Sequence, residues 1–130
     1  MRYILTVYGE PYATQSPATA LYFAQALIRA GHTLPCVFFY DAAVQIASSL
    51  STVPQDEVSL RDQWVSFAKT HATELVICSS AALRRGLLTK EEATRQQRSH
   101  WNIEPPFILG GLGILVDGMI NADRTVVFGK

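Results

Sequence analysis

The chain has 130 residues, 48% of them apolar, and its eleven basic residues balance eleven acidic ones. That is one domain's length with enough apolar material for a core, which argues against disorder. The charge balance weighs against direct binding to nucleic acid or to an anionic membrane, because both usually need a basic excess.

In chain order, Tyr3–Tyr8 is β-branched and aromatic and predicts a first strand. After the loop Gly9–Gln15, Ser16 offers an N-cap with Pro17 at the first helical position, and Leu21, Ala24, Leu27 and Ile28 recur at helical spacing until Gly31. Leu34–Tyr40 predicts a second strand, and its continuous apolar run suits a strand covered on both faces. Asp41 is expected to cap a short helix through Leu50. Ser51–Asp56, with Pro54, reads as a loop, and an amphipathic helix follows through Trp64, Phe67 and Ala68 to about Thr70.

Glu74–Cys78 predicts the third strand, followed at once by a helix from Ser79 to Gly86. Thr89 and Glu92 have capping-box spacing for a helix to about Arg98. Ser99–Pro106 is irregular, Phe107–Leu109 a brief strand, Gly111–Asn121 a helix and Thr125–Phe128 a last strand. Strands alternating with helices imply a mainly parallel five-stranded sheet in a three-layer α/β/α, Rossmann-like fold. Residues 1–130 read as one such domain.

The longest uncharged apolar stretch, Phe107 to Val116, is too short to span a bilayer. Arg2 leads directly into a strand without a signal-peptide pattern, and two cysteines make no disulfide framework. The expected compartment is therefore the reducing cytoplasm.

Cys78 carries the chemistry. It closes an apolar run, and small residues able to open a helix follow it, so the thiol is placed at the carboxyl edge of a sheet, where open α/β folds bind ligands. A helix start favours the thiolate, the reactive form, and the Ser79 and Ser80 hydroxyls are candidate donors to it. Cys36, inside an apolar run, reads instead as a small buried hydrophobe. His32, His71 and His100 show no paired ligand spacing, so no metal site is expected. Gly110-Gly111-Leu112-Gly113 lacks the third glycine of a dinucleotide fingerprint, and close backbone packing explains it better. Tyr12, Trp64 and Trp101 suit interfaces, although core packing explains each as readily.

Cys78 and Arg84 also form a Cys-x5-Arg spacing, the pattern of cysteine phosphatases, in which the arginine clamps phosphoryl oxygens. The intervening Ser-Ser-Ala-Ala-Leu has no glycine, Arg85 stands where a hydroxyl residue is usual, and no Asp general acid can be assigned. Sulfur exchange at the thiol ranks above phosphate chemistry.

Several segments, taken together and in order along the whole chain, carry a family likeness. They are Gly9-x-Pro11-Tyr12-x-x-Gln15, Phe23-Ala24-x-Ala26-Leu27, Gly31-His32, Val37-Phe38-Phe39-Tyr40 and Pro54-Gln55-Asp56-Glu57. Ile77-Cys78-x-x-Ala81-Ala82-Leu83-Arg84-Arg85-Gly86, Gly111-Leu112-Gly113 and Ala122-Asp123-Arg124-x-Val126-Val127-Phe128 complete them. The chain resembles the DsrE/TusD sulfurtransferases, departing at Ser79-Ser80, where relatives often have apolar or small residues.

The resemblance implies a DsrE-like fold in which Cys78 carries sulfur as a persulfide, with no cofactor and no metal. It implies a TusA-like donor, a TusE-like acceptor, and TusB-like and TusC-like subunits in a dimer of heterotrimers, serving 2-thiolation of the tRNA wobble uridine. A DsrE-type role in dissimilatory sulfur oxidation uses the same thiol and remains open, as does a structural subunit with an idle cysteine.

Overall fold

A computed structural model describes residues 1–130. Its strands are β1 (Arg2–Val7), β2 (Thr33–Phe39), β3 (Glu74–Cys78), β4 (Phe107–Gly110) and β5 (Arg124–Phe128). Its helices are α1 (Ser16–Arg29), α2 (Leu60–His71), α3 (Ser79–Arg84), α4 (Lys90–Arg95) and α5 (Leu112–Asn121), with a 3₁₀ segment at Asp41–Ala47. The sheet runs β4-β3-β2-β1-β5 and every neighbouring pair is parallel. The α/β architecture and five strands are as the sequence predicts.

Strand alternation sorts side chains onto two unequal faces. Leu5, Val7, Val37, Phe39, Leu75 and Ile77 form the fully buried side against α1 and α2. The anchor there is Trp64 of α2, edge-on to Phe39 at 5.4 Å, its indole N–H donating to the Pro17 carbonyl at 3.2 Å. Trp64 is therefore core and not interface, whereas Tyr12 and Trp101 are exposed. The opposite face carries α5 alone. Gly118 of that helix sits so close to Ile4 of β1 that a Cβ there would lie 2.4 Å from the Ile4 Cδ1. No residue of α5 is buried.

Local chemistry corrects three boundaries. Gln15, not Ser16, takes the N-cap of α1, because the Ser16 hydroxyl is engaged by the Gly9 N–H at 3.0 Å. Asp41 caps nothing: it has φ +52 and opens a 3₁₀ segment that ends at Ala47, short of Leu50. Thr89 does cap α4, its Oγ1 accepting from the Glu92 N–H at 3.2 Å. The Glu92 carboxylate does not reach back, since it binds Arg95 at 2.7 Å and Gln96 at 3.0 Å. Gln97, at φ +58, turns the chain before Arg98.

Of the glycine run, only Gly110 bears out the packing explanation. A Cβ there would lie 2.6 Å from Ile114 Cδ1 and 2.7 Å from Val76 Cγ1, while Gly111 and Gly113 face open space.

Candidate functional site

Cys78 is the last residue of β3 and the residue that flanks α3, so no loop separates strand from helix. It pairs with Gly110 of β4 in the ladder. On the other side, Phe39 pairs with Ile77, so Tyr40 stands beside Cys78 at the carboxyl edge. The Tyr40 N–H donates to the Val7 carbonyl at 2.8 Å, which keeps it extended, and its ring lies 5.3 Å from that of Tyr8. Alternation puts both tyrosines and Cys78 on the face that carries α5.

The thiol is only 2% exposed. Its Sγ lies 3.6 Å from the Ser80 Oγ, near enough for a weak hydrogen bond in which either atom can donate. Ser79 opens α3 and lines, with Leu83, Lys90, Arg95, Phe107 and Leu109, a groove of about 630 Å³. A surface groove therefore reaches the residue next to Cys78 while the sulfur itself stays covered.

Arg84 is exposed and lines a different pocket with Gly86, Gln96 and Arg98. The five residues before it are continuous helix, about 1.5 Å of rise per residue, which carries the Arg84 backbone away from Cys78. A phosphatase needs those residues as a cradle of inward-pointing N–H groups around the anion. The geometry favours thiol exchange over phosphate chemistry.

The arginine that makes tertiary contacts is Arg85. Its Nη1 donates to the Ala81 carbonyl at 3.1 Å and its Nη2 to the Asp41 carboxylate at 2.9 Å. Lys130 donates to the other Asp41 oxygen at 2.7 Å. The Lys130 hydrogen bond, opposed by partial desolvation and helped by the charges of Lys130 and Arg85, holds the Asp41 carboxyl below its usual range. Sequence reasoning missed this cluster, although an acidic residue directly after a buried strand and a basic one at a helix end were its visible signals.

Cys36 lies on the same face of the sheet, half-buried and toward the opposite edge, pairing with Ile4 and Glu74. Burial, reinforced by the Glu74 carboxylate, pushes its thiol up to about 12. It lines a cavity of about 180 Å³ with Glu74, Ile114 and Asp117.

Fold and thiol together define a parallel α/β protein with one cysteine poised at a strand's carboxyl end. The DsrE/DsrF-like family matches residues 1–128, and the chain belongs to it. Sulfurtransferase TusD of Serratia proteamaculans is 44% identical over 126 residues, 97% of this chain and 98% of that protein. Sulfurtransferase TusD of Klebsiella pneumoniae is 42% identical over 128 residues, covering 98% and 100%. The proposed sulfurtransferase DsrE of Allochromatium vinosum is 39% identical over 129 residues, covering 99% of each. By class the chain is a sulfurtransferase. The crystal structure of the ychN protein from E. coli shares the fold, with TM-score 0.74 and 19% identity over 98% of this chain and 100% of that one.

Proposed function

We propose that Cys78 is the sulfur carrier of a persulfide relay. The observation that carries this reading is the thiol's place: it ends β3, abuts α3 and lies 3.6 Å from a hydroxyl, in a chain whose relatives are sulfurtransferases. The Cys78 thiolate attacks the outer sulfur of a donor persulfide, R–S–SH. A new S–S bond forms, the donor's S–S bond breaks, the donor leaves as thiolate, and the proton stays on the transferred sulfur. An acceptor thiolate repeats the exchange and regenerates the Cys78 thiolate. Each step is thiol exchange and needs neither metal nor organic cofactor.

The hydroxyl of Ser80, and less directly that of Ser79, supports the sulfur anion. Arg84 is retained as a supporting residue only for contacts made with a partner.

The relay serves 2-thiolation of tRNA in the cytoplasm, taking sulfur from a TusA-like donor and passing it to a TusE-like acceptor. Cys78 works within an assembly with TusB-like and TusC-like subunits. The TusD relatives at 42–44% identity favour that pathway. The DsrE relative at 39% identity supports the second reading, a carrier in dissimilatory sulfur oxidation.

The test is intact mass after incubation with glutathione persulfide. The wild-type chain gains one sulfur atom and Cys78→Ser does not; retention of the added sulfur by Cys78→Ser defeats the reading. Passage of that sulfur to a TusE-like protein and recovery of 2-thiouridine in tRNA separate the two pathways. Co-expression with TusB-like and TusC-like subunits, followed by size-exclusion chromatography with light scattering, tests the assembly. A chain eluting alone at micromolar concentration counts against it.

A further inference from the structure

Tyr8, Tyr40, Cys78 and Gly110 stand in a row at the carboxyl edge of the sheet, on the face that carries α5. Cys78 pairs with Gly110 in the ladder, and Tyr40 follows the Phe39–Ile77 pair in an extended backbone, φ −125 and ψ 164. Of the two strand neighbours of Cys78, one therefore has no side chain and the other is a tyrosine. The space over Gly110 is taken by Ile114, since a Cβ there would lie 2.6 Å from the Ile114 Cδ1. Tyr40 is the polar side chain that the row sets beside the sulfur.

The Tyr40 ring keeps its own place in that row. Its centroid is 5.3 Å from the Tyr8 ring, close to the strand spacing of about 4.8 Å. It is 6.4 Å from the Phe38 ring, near the rise of about 6.6 Å for two strand residues. The ring thus leans away neither across the sheet nor along it, and its hydroxyl stands further from the sheet than the Cys78 Sγ. That hydroxyl bonds to no group in the protein. Only Arg61 Nε is a buried side-chain polar atom without a partner, so the Tyr40 hydroxyl is open to solvent.

The row holds no cation. Arg84 lines another pocket, Arg85 and Lys130 are bound to Asp41, and α5 carries no charge before Asp117. An anion on the sulfur is left with hydroxyls for support, and the Ser80 Oγ already lies 3.6 Å from Sγ. The outer sulfur of a persulfide stands about 2 Å beyond Sγ, toward the height of the Tyr40 hydroxyl.

We propose that Tyr40 holds the transferred sulfur: its hydroxyl donates to the outer sulfur of the Cys78 persulfide once the proton on that sulfur has passed to solvent. A hydroxyl donating to an anion makes a strong hydrogen bond and favours the charged form. This role rests on the reading of Cys78 as the carrier. It keeps the loaded sulfur anionic, and an anion repels the small thiolates that would strip it by exchange. Ser80 then serves the inner sulfur and Tyr40 the outer one.

The test compares the full-length chain, unloaded and loaded with glutathione persulfide, by iodoacetamide alkylation across a pH series. Peptide mass mapping reads Cys78, and the two products differ by one sulfur atom. Tyr40→Phe keeps the ring and removes the hydroxyl. Its loaded midpoint is expected to rise by about half to one pH unit, the size of one hydrogen bond. Its unloaded midpoint is expected to keep the wild-type value, because the hydroxyl makes no bond to Sγ itself. Tyr8→Phe, one strand further from the sulfur, is expected to move neither.

An unmoved loaded midpoint in Tyr40→Phe overturns the role. So does an equal rise in the loaded and unloaded chain, which reports a general change around Cys78. An equal rise in Tyr8→Phe overturns it as well. A wild-type chain whose Cys78 takes up no sulfur defeats the carrier reading and this role with it, whereas normal loading with an unmoved midpoint defeats the role of Tyr40 alone.

Discussion

The two cysteines share one face of one sheet and differ in what stands beyond them. Cys36 lies inside β2, flanked by β1 and β3, with a carboxylate beside it and no hydrogen-bond partner for its sulfur. Cys78 ends β3, with a hydroxyl 3.6 Å away and a six-residue helix as its next element. Exposure alone does not separate them, for Cys78 is the more buried. The difference lies along the strand: Cys36 points from the middle of β2 into a cavity shared with Glu74, Ile114 and Asp117, whereas Cys78 stands where the ladder ends and a helix begins.

The largest contrast is expected in sulfur loading. Cys36→Ser takes up sulfur from glutathione persulfide to the wild-type level, while Cys78→Ser takes up none. An intact-mass result with the two reversed would dissolve the comparison.

Gly110→Ala sharpens it from the neighbouring strand. The new Cβ would press on Ile114 and Val76 beside Cys78, and overpacking of this kind costs about 1–3 kcal/mol. Urea denaturation should show that loss together with slower sulfur uptake. Full stability in Gly110→Ala would mean that α5 yields more easily than its contacts suggest.

Alkaline pH probes the other cysteine. Burial raises the Cys36 thiol from 9.0 to about 12, so the folded state holds that proton more tightly than the unfolded state does. The resulting stability is fully present below pH 9.0 and is lost as pH rises toward about 12. Between those limits wild type should lose stability more steeply than Cys36→Ala, as measured by denaturation at a series of pH values. Parallel slopes would show that Cys36 is not the group responsible.

Glu74→Gln should give the smallest effect. It removes the lesser of the two causes that raise the Cys36 thiol, so alkylation of Cys36 near pH 10 rises modestly while that of Cys78 is unchanged. A response at Cys78 would show that the two sites communicate.

The alternation of strands and helices was legible because β1, β2 and β3 are short, apolar and bounded by turn residues. The placement of Cys78 was legible for the same reason. What the sequence concealed was tertiary. Ser16 looked like a cap until the folded Gly9 loop claimed its hydroxyl. Asp41 looked like a helix start, and Arg85 like a solvated helix end, because 44 residues separate two groups that bond only once the sheet is formed. The near-complete burial of Cys78 was hidden too, since a strand's end in a sequence says nothing of what folds over it.

The thin covering of the second face has a consequence for how the molecule breathes. α1 buries five of its residues and α2 three, whereas α5 buries none, and Leu112, Val116 and Ile120 all project into solvent. Little apolar burial opposes its separation from β1, so α5 should detach in a sub-global opening well below the free energy of complete unfolding. In deuterated water its amides are then expected to exchange earlier than those of α1 or α2, with β1 and β3 last, so that one face of the sheet sheds its layer while the other stays closed.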